Sequence, residues 1–223
     1  MENGINRRAF LNRIGLYSAG LCMPYQDGRR TKHLIFIVNG SARKKDYYED
    51  ASIARNVRRL ASEGFVYEED HCEQVASHDA AFAALLGCVT YPTIHSLDLI
   101  PSVMERRRPR VLICREMSYD VGHRSFEAYR SAVQATDNGV GHVLDWVKNH
   151  PDFSRNTAIV IRPEFGRDDE VNEHGALHHS YGFYYTHRVA RILWGPDFNK
   201  GVDKKTVVSA RDMAATIAKI IGD

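Results

Sequence analysis

Leu34-Ile35-Phe36-Ile37-Val38 is an unbroken apolar run that stops at Asn39-Gly40. A strand reads this way when neither of its faces meets water, and the usual cover is a layer of helices on each side of a parallel sheet. Similar runs return at Val111-Leu112-Ile113-Cys114, at 157–161 and at 189–194, with a shorter β-rich piece at Phe65-Val66-Tyr67. Helical periodicity fills the gaps. Ile53, Val57, Leu60 and Ala61 make one stripe closed by Gly64, and helices are expected over 79–86 and 96–105. The longest is expected over 125–149, where Phe126, Tyr129, Val133, Val140, Val143, Leu144 and Val147 share a face. Val207-Val208 suggests an edge strand, and Met213, Ile217, Ile220 and Ile221 mark a C-terminal helix. The pattern predicts an α/β fold, doubly wound, with a mainly parallel sheet and helices on both faces, as one domain over residues 33–223.

Composition narrows the function. At 43% apolar and 26% charged residues, the chain is ordinary globular protein rather than a disordered or collagen-like one. Its 30 Lys+Arg nearly balance 28 Asp+Glu, and leaving out Arg7, Arg8, Arg13 and Glu2 with the first 22 residues makes the balance complete. A nucleic-acid partner is therefore not expected. No stretch reaches the roughly 18 apolar residues of a membrane span, so no transmembrane segment is expected. Four cysteines are too few for a disulfide scaffold.

Asn6-Arg7-Arg8-Ala9-Phe10-Leu11-Asn12, followed by a modestly apolar 14–23, resembles a twin-arginine export signal. The alternative is a basic amphipathic helix. Export would make residues 1–23 an address read by the export machinery, and would place the chain in the periplasm or outside the cell. Cys72, Cys88 and Cys114 would then sit in an oxidising compartment, where an odd thiol is either buried or reactive; Cys114, at the end of an apolar run, is expected to be buried.

Open α/β sheets bind ligands at the carboxyl ends of their strands. Asn39 follows the first strand, Asp120-Val121-Gly122-His123 follows the third, and Glu164-Phe165-Gly166-Arg167 follows the fourth. The loop before the fifth strand adds His174, His178 and His179. Carboxylates and imidazoles converging from distant positions make a metal site conceivable. Each has an ordinary reading as well: Ser77 as a helix N-cap, Arg167 paired with Asp168 or Asp169, the histidines as surface groups, Arg106-Arg107-Arg108 as a solvated helix end. Asp137, mid-helix, is expected to serve a structural hydrogen bond.

Taken in order, these positions resemble the alkaline phosphatase and sulfatase-like superfamily over most of residues 33–223. Asn39-Gly40 is similar to that family's Asp-Gly, Asp120 to His123 with Asp137 to its Asp, Gly-His and helix-borne Asp, Pro163 to Arg167 to its Asp-His-Gly turn, and His178-His179 with Gly195-Pro196 to its last His ligand and the Gly-Pro beyond. The resemblance implies an alkaline-phosphatase-like fold and a nucleophile at a helix N-terminus. Aligning on Gly87 puts Ser77 there, and aligning on Leu85-Leu86 puts His78 there. Asn39 and Arg167 are candidates for contacting the substrate, and the resemblance implies Asp120, His123, Glu164 and His179 around a divalent metal, one ion at most, zinc first, with calcium, magnesium or manganese as alternatives. Three departures count against a two-zinc centre: Asn39 replaces a carboxylate, Phe165 replaces a His, and Asp120 precedes His123 by three residues rather than four. The expectation is an exported, metal-dependent hydrolase of phosphate or sulfate esters acting on a small anionic substrate. The alternatives are a non-catalytic relative that binds a ligand or partner, and an unrelated doubly wound binding domain in which His123, Glu164 and His179 would not meet.

Overall fold

The computed structural model of the protein describes residues 30–73, 77–87 and 89–222. The expected export signal, Cys22 and Cys88 lie outside them. Seven strands form one sheet: β1 His33–Asn39, β2 Phe65–His71, β3 Thr93–Ile94, β4 Val111–Glu116, β5 Thr157–Arg162, β6 Arg188–Trp194 and β7 Gly201–Ser209, in the order β3-β4-β1-β5-β6-β2-β7. β1 pairs in parallel with β4 and β5, β3 with β4, and β2 with β7. β6 alone runs against its neighbours β5 and β2. The main helices are α1 Arg55–Glu63, α2 His78–Leu86, α3 Ile100–Arg107, α4 Phe126–Asn149 and α5 Met213–Ile221.

Alternation along β1 feeds two cores, as the pleat requires. Ile35 and Ile37 point to the face covered by Val57 and Leu60 of α1, Val103 of α3, and Val133, Val140 and Leu144 of α4. Leu34, Phe36 and Val38 point to the opposite face, where Leu85 of α2 and Met213, Ile217 and Ile220 of α5 cover them. Helices therefore lie on both faces of a mainly parallel sheet. Asp137, buried in α4, accepts from the backbone N–H of Asn56 and Val57 at 2.8–2.9 Å. It closes the first turn of α1, whose N-cap residue Ala54 has no side chain able to do so.

Two details were not in the sequence pattern: the two-residue β3, and the length of β7, which extends well before Val207-Val208. A buried charge cluster ties three strands together. Asp70 of β2 accepts from Arg162 of β5 at 2.7 Å and from Arg191 of β6 at 2.8 Å, with all three side chains essentially inaccessible. Burial alone would raise the Asp70 pKa, but Arg162 and then Arg191 hold it below the ordinary aspartate value. Among the described residues no helix is long and apolar enough to cross a membrane.

Candidate metal centre

Because β1, β2, β4 and β5 share one direction, their carboxyl ends lie on one edge of the sheet, and α2, which follows β2, starts there. β6 runs back from that same edge. The chain between β5 and β6 must therefore stay at it, which brings His178 and His179 beside the residues that end β5.

Here the polar side chains meet. His78, the first residue of α2, places Nδ1 at 2.5 Å from Glu164 Oε2 and Nε2 at 2.9 Å from Asp120 Oδ1. His123 places Nε2 at 2.8 Å from His179 Nε2 and Nδ1 at 2.8 Å from His178 Nδ1. Ligand atoms of His78, Asp120 and His179 all lie within 4.8 Å of one another, and His123 Nε2 is 3.9 Å from Asp120 Oδ1. Of the four metal ligands expected from sequence, Asp120, His123 and His179 face this centre. Glu164 stands behind it, fully buried, with Oε1 accepting from Arg115 Nε at 2.6 Å.

Burial, Arg167, His123 and His78 together push His179 down to about 4. Burial and Arg167 likewise lower His123. Both rings are thus neutral near pH 7, with a lone pair to donate. Burial works to lower His78 too, but hydrogen bonding and charge from Glu164, then Asp120, raise it overall.

Arg167 lies beneath the centre rather than at its mouth. Its guanidinium is fully buried and donates to Ser41 O at 2.8 Å, Leu177 O at 2.6 Å and Tyr119 O at 2.7 Å, with Asp120 Oδ1 at 3.4 Å. Asp168 does not pair with it. That carboxylate takes Ser180 N–H and Oγ, both at 2.6 Å, and fixes the loop carrying His178 and His179. Asn39 is buried at the end of β1 and hydrogen bonds Tyr119 through its side chain. Ser77 is the exposed N-cap residue of α2 and makes no side-chain capping bond. His174 is 80% exposed beside Glu173, outside the cluster.

Phe165 is completely buried with its ring centroid 4.9 Å from both the His78 and His179 rings. Two glycines allow the turns to close. Gly40 has φ +48°, and a Cβ there would stand 2.9 Å from Glu116 O; one on Gly166 would stand 2.2 Å from Tyr185 O.

No protein-family model matches this chain, and no curated protein matches it in sequence. Solved structures do match. A protein of the alkaline phosphatase superfamily from Vibrio parahaemolyticus superposes with TM-score 0.63 at 11% identity, over 90% of this chain and 68% of its own. The lipoteichoic acid synthase LtaP from Listeria monocytogenes gives 0.64 at 12%, over 89% and 74%. The fold is alkaline-phosphatase-like. The 2-O GAG sulfatase BT1596 shares it as well, with TM-score 0.64 at 11% identity over 86% of this chain and 70% of its own.

Within this alkaline-phosphatase-like fold the donor set fits one divalent cation. Imidazoles and a carboxylate are ligands that zinc prefers, and ligand atoms of His78, Asp120 and His179 lie within 4.8 Å of one another with His123 Nε2 held against His179; His78 would join them by giving up its Nε2 proton. A histidine ligand usually donates its other ring N–H to a carboxylate, as His78 does to Glu164. A second cation does not fit: Asn39 is neutral, Phe165 has no donor atom, and Glu164 is already compensated by Arg115 and His78. Sequence reasoning missed Arg115 and gave His78 only the nucleophile's place. Arg115 directly follows the apolar run 111–114, so the rule that found the other loops would have found it.

Proposed function

We propose that this chain is an exported, single-metal hydrolase of phosphate or sulfate esters, with zinc the cation that the donor set suits. The observation that carries the proposal is the convergence of His78, Asp120, His123 and His179 at the carboxyl edge of the sheet. His78 Nε2, Asp120 Oδ1 and His179 Nε2, with His123 Nε2 beside them, would hold the ion. The chemistry supplied by a bound divalent ion there would be polarisation of a nonbridging ester oxygen and easier ionisation of the attacking hydroxyl.

The chain's own groups do the rest. Glu164 Oε2 accepts the Nδ1 proton of His78 and keeps Nε2 turned to the centre. His178 Nδ1 steadies the His123 ring from behind. Ser77 Oγ, one residue ahead of His78, is the nucleophile: it bonds to phosphorus or sulfur as the ester's alcohol leaves carrying the serine proton. Water then hydrolyses the seryl ester to restore the hydroxyl and release the anion, and the N–H groups of α2's first turn favour the anionic oxygens beside it. Water exclusion falls to Phe165, whose buried ring packs against both His78 and His179.

Phe165 and Asn39 also support a second reading, a relative that binds an anionic ligand or a partner without turnover. Metal analysis of the purified full chain with a panel of phosphate and sulfate esters separates the two. The hydrolase reading expects bound metal and turnover, with Ser77→Ala lowering kcat at least 100-fold and leaving metal content unchanged (about 10²-fold or more for a lost nucleophile). Metal-loaded protein inert on the whole panel contradicts it.

A further inference from the structure

Arg115 leaves β4 at the carboxyl edge with its guanidinium anchored on two sides. Nε donates to Glu164 Oε1 at 2.6 Å, and the central carbon stands 4.4 Å from the Phe82 ring centroid. Its outer nitrogens, Nη1 and Nη2, both reach a single oxygen, Asp79 Oδ1, each at 3.2 Å. The anchors differ in burial: the Glu164 side chain is wholly buried, whereas that of Asp79 is 94% exposed. An ion pair with so exposed a carboxylate is weak and easily exchanged. An arginine fork is shaped to grip two oxygens at once, so two donors converging on one long contact leave much of its capacity unused. Glu164 also sets the fork beside the centre, since its other oxygen holds His78.

We infer that the outer edge of Arg115 seats the tetrahedral oxyanion of the substrate, phosphate or sulfate, and that Asp79 occupies that seat until the anion displaces it. The inference rests on the hydrolase reading and names its anion-binding residue. On anion binding, Arg115 keeps Glu164 and Phe82 while Nη1 and Nη2 pass from Asp79 to two oxygens of the ligand. Asp79 thus acts as a built-in competitor, and its removal strengthens binding.

The test is calorimetric titration of the full chain with inorganic phosphate and, separately, inorganic sulfate, with zinc content measured on the same samples. Asp79→Asn is expected to tighten binding of the preferred anion about two- to fivefold, the worth of an exposed ion pair. Arg115→Lys, which keeps the charge but loses the fork, is expected to weaken it about tenfold or more. Zinc content should stay unchanged in Asp79→Asn, and the Arg115→Lys titration is read on zinc-loaded protein. The anion with the larger Arg115 dependence identifies the ester class. Wild-type protein that binds neither anion, or an affinity that Asp79→Asn leaves unchanged or lowers, overturns the proposal even if Arg115→Lys does not fold. Absence of zinc defeats the hydrolase reading on its own, while the same titrations still judge Arg115.

Discussion

Asp70→Asn is expected to cost about 3–5 kcal/mol of folding free energy, the range for removing one partner from a buried ion pair. Asp70 is the sole carboxylate that Arg162 and Arg191 share among their described contacts, and the remaining acceptors are backbone carbonyls: His71 O, Pro163 O and Glu164 O for Arg162, Ser209 O for Arg191. An amide in its place presents N–H to two guanidinium groups and strands two buried cations. The consequence reaches the metal centre, because Arg162 holds the turn that positions Glu164. A guanidinium chloride midpoint measured beside wild type checks it, and a loss below about 1 kcal/mol would show that the cluster is solvated. The pH dependence has a definite sign. Asp70 has a lowered pKa in the folded chain, so its contribution is present in full above the unfolded aspartate value, about 3.9, and is lost as pH falls through the lower folded value. Wild type should therefore lose more stability than Asp70→Asn between neutral pH and acid.

Arg167→Met is expected to cost about 3 kcal/mol or more and to release metal. One guanidinium satisfies the carbonyls of Ser41, Tyr119 and Leu177, which belong to the loops after β1, after β4 and before β6. A thioether satisfies none of them, and each buried carbonyl left unpaired costs roughly 1–3 kcal/mol. Those same loops carry Asp120, His123 and His179, so they lose their common anchor together. Thermal melting with zinc content on one preparation checks both halves. A variant that melts like wild type, retains zinc and differs only in a raised KM would show instead that Arg167 grips the substrate.

Much of this architecture was legible because burial on both faces leaves a plain mark. The run from Leu34 to Val38 is apolar at every position since its neighbours cover it above and below, and the stripe of α4 repeats as a helix on a sheet must. Strand direction leaves no such mark: β6 is as apolar as β5, and nothing in Val189 to Trp194 says that it runs backwards. β7 was only partly visible because its side chains at Val202, Lys204 and Val207 meet solvent and break the alternation.

The site divides along the same line. The meeting of Asp120, His123 and His179 was foreseeable because polar residues that follow strands gather at one sheet edge, a rule about position. The place of Glu164 behind His78 depends on pairing between side chains 86 residues apart, which spacing along the chain does not encode. For Arg167 the sequence left two readings open, an anion contact or a pair with Asp168 or Asp169. The three carbonyls that turn it inward become visible only once the loops are folded.

On the proposed reading, His78, Asp120, His123 and His179 would hold one cation together. Zinc should be loaded into the full chain, excess removed by dialysis, and the retained metal counted by mass spectrometry in wild type, Asp120→Ala and His179→Ala, with melting curves to confirm folding. One zinc per wild-type chain and near-complete loss in both variants are expected. Folded wild type that retains no zinc, or variants that retain it in full, would contradict it.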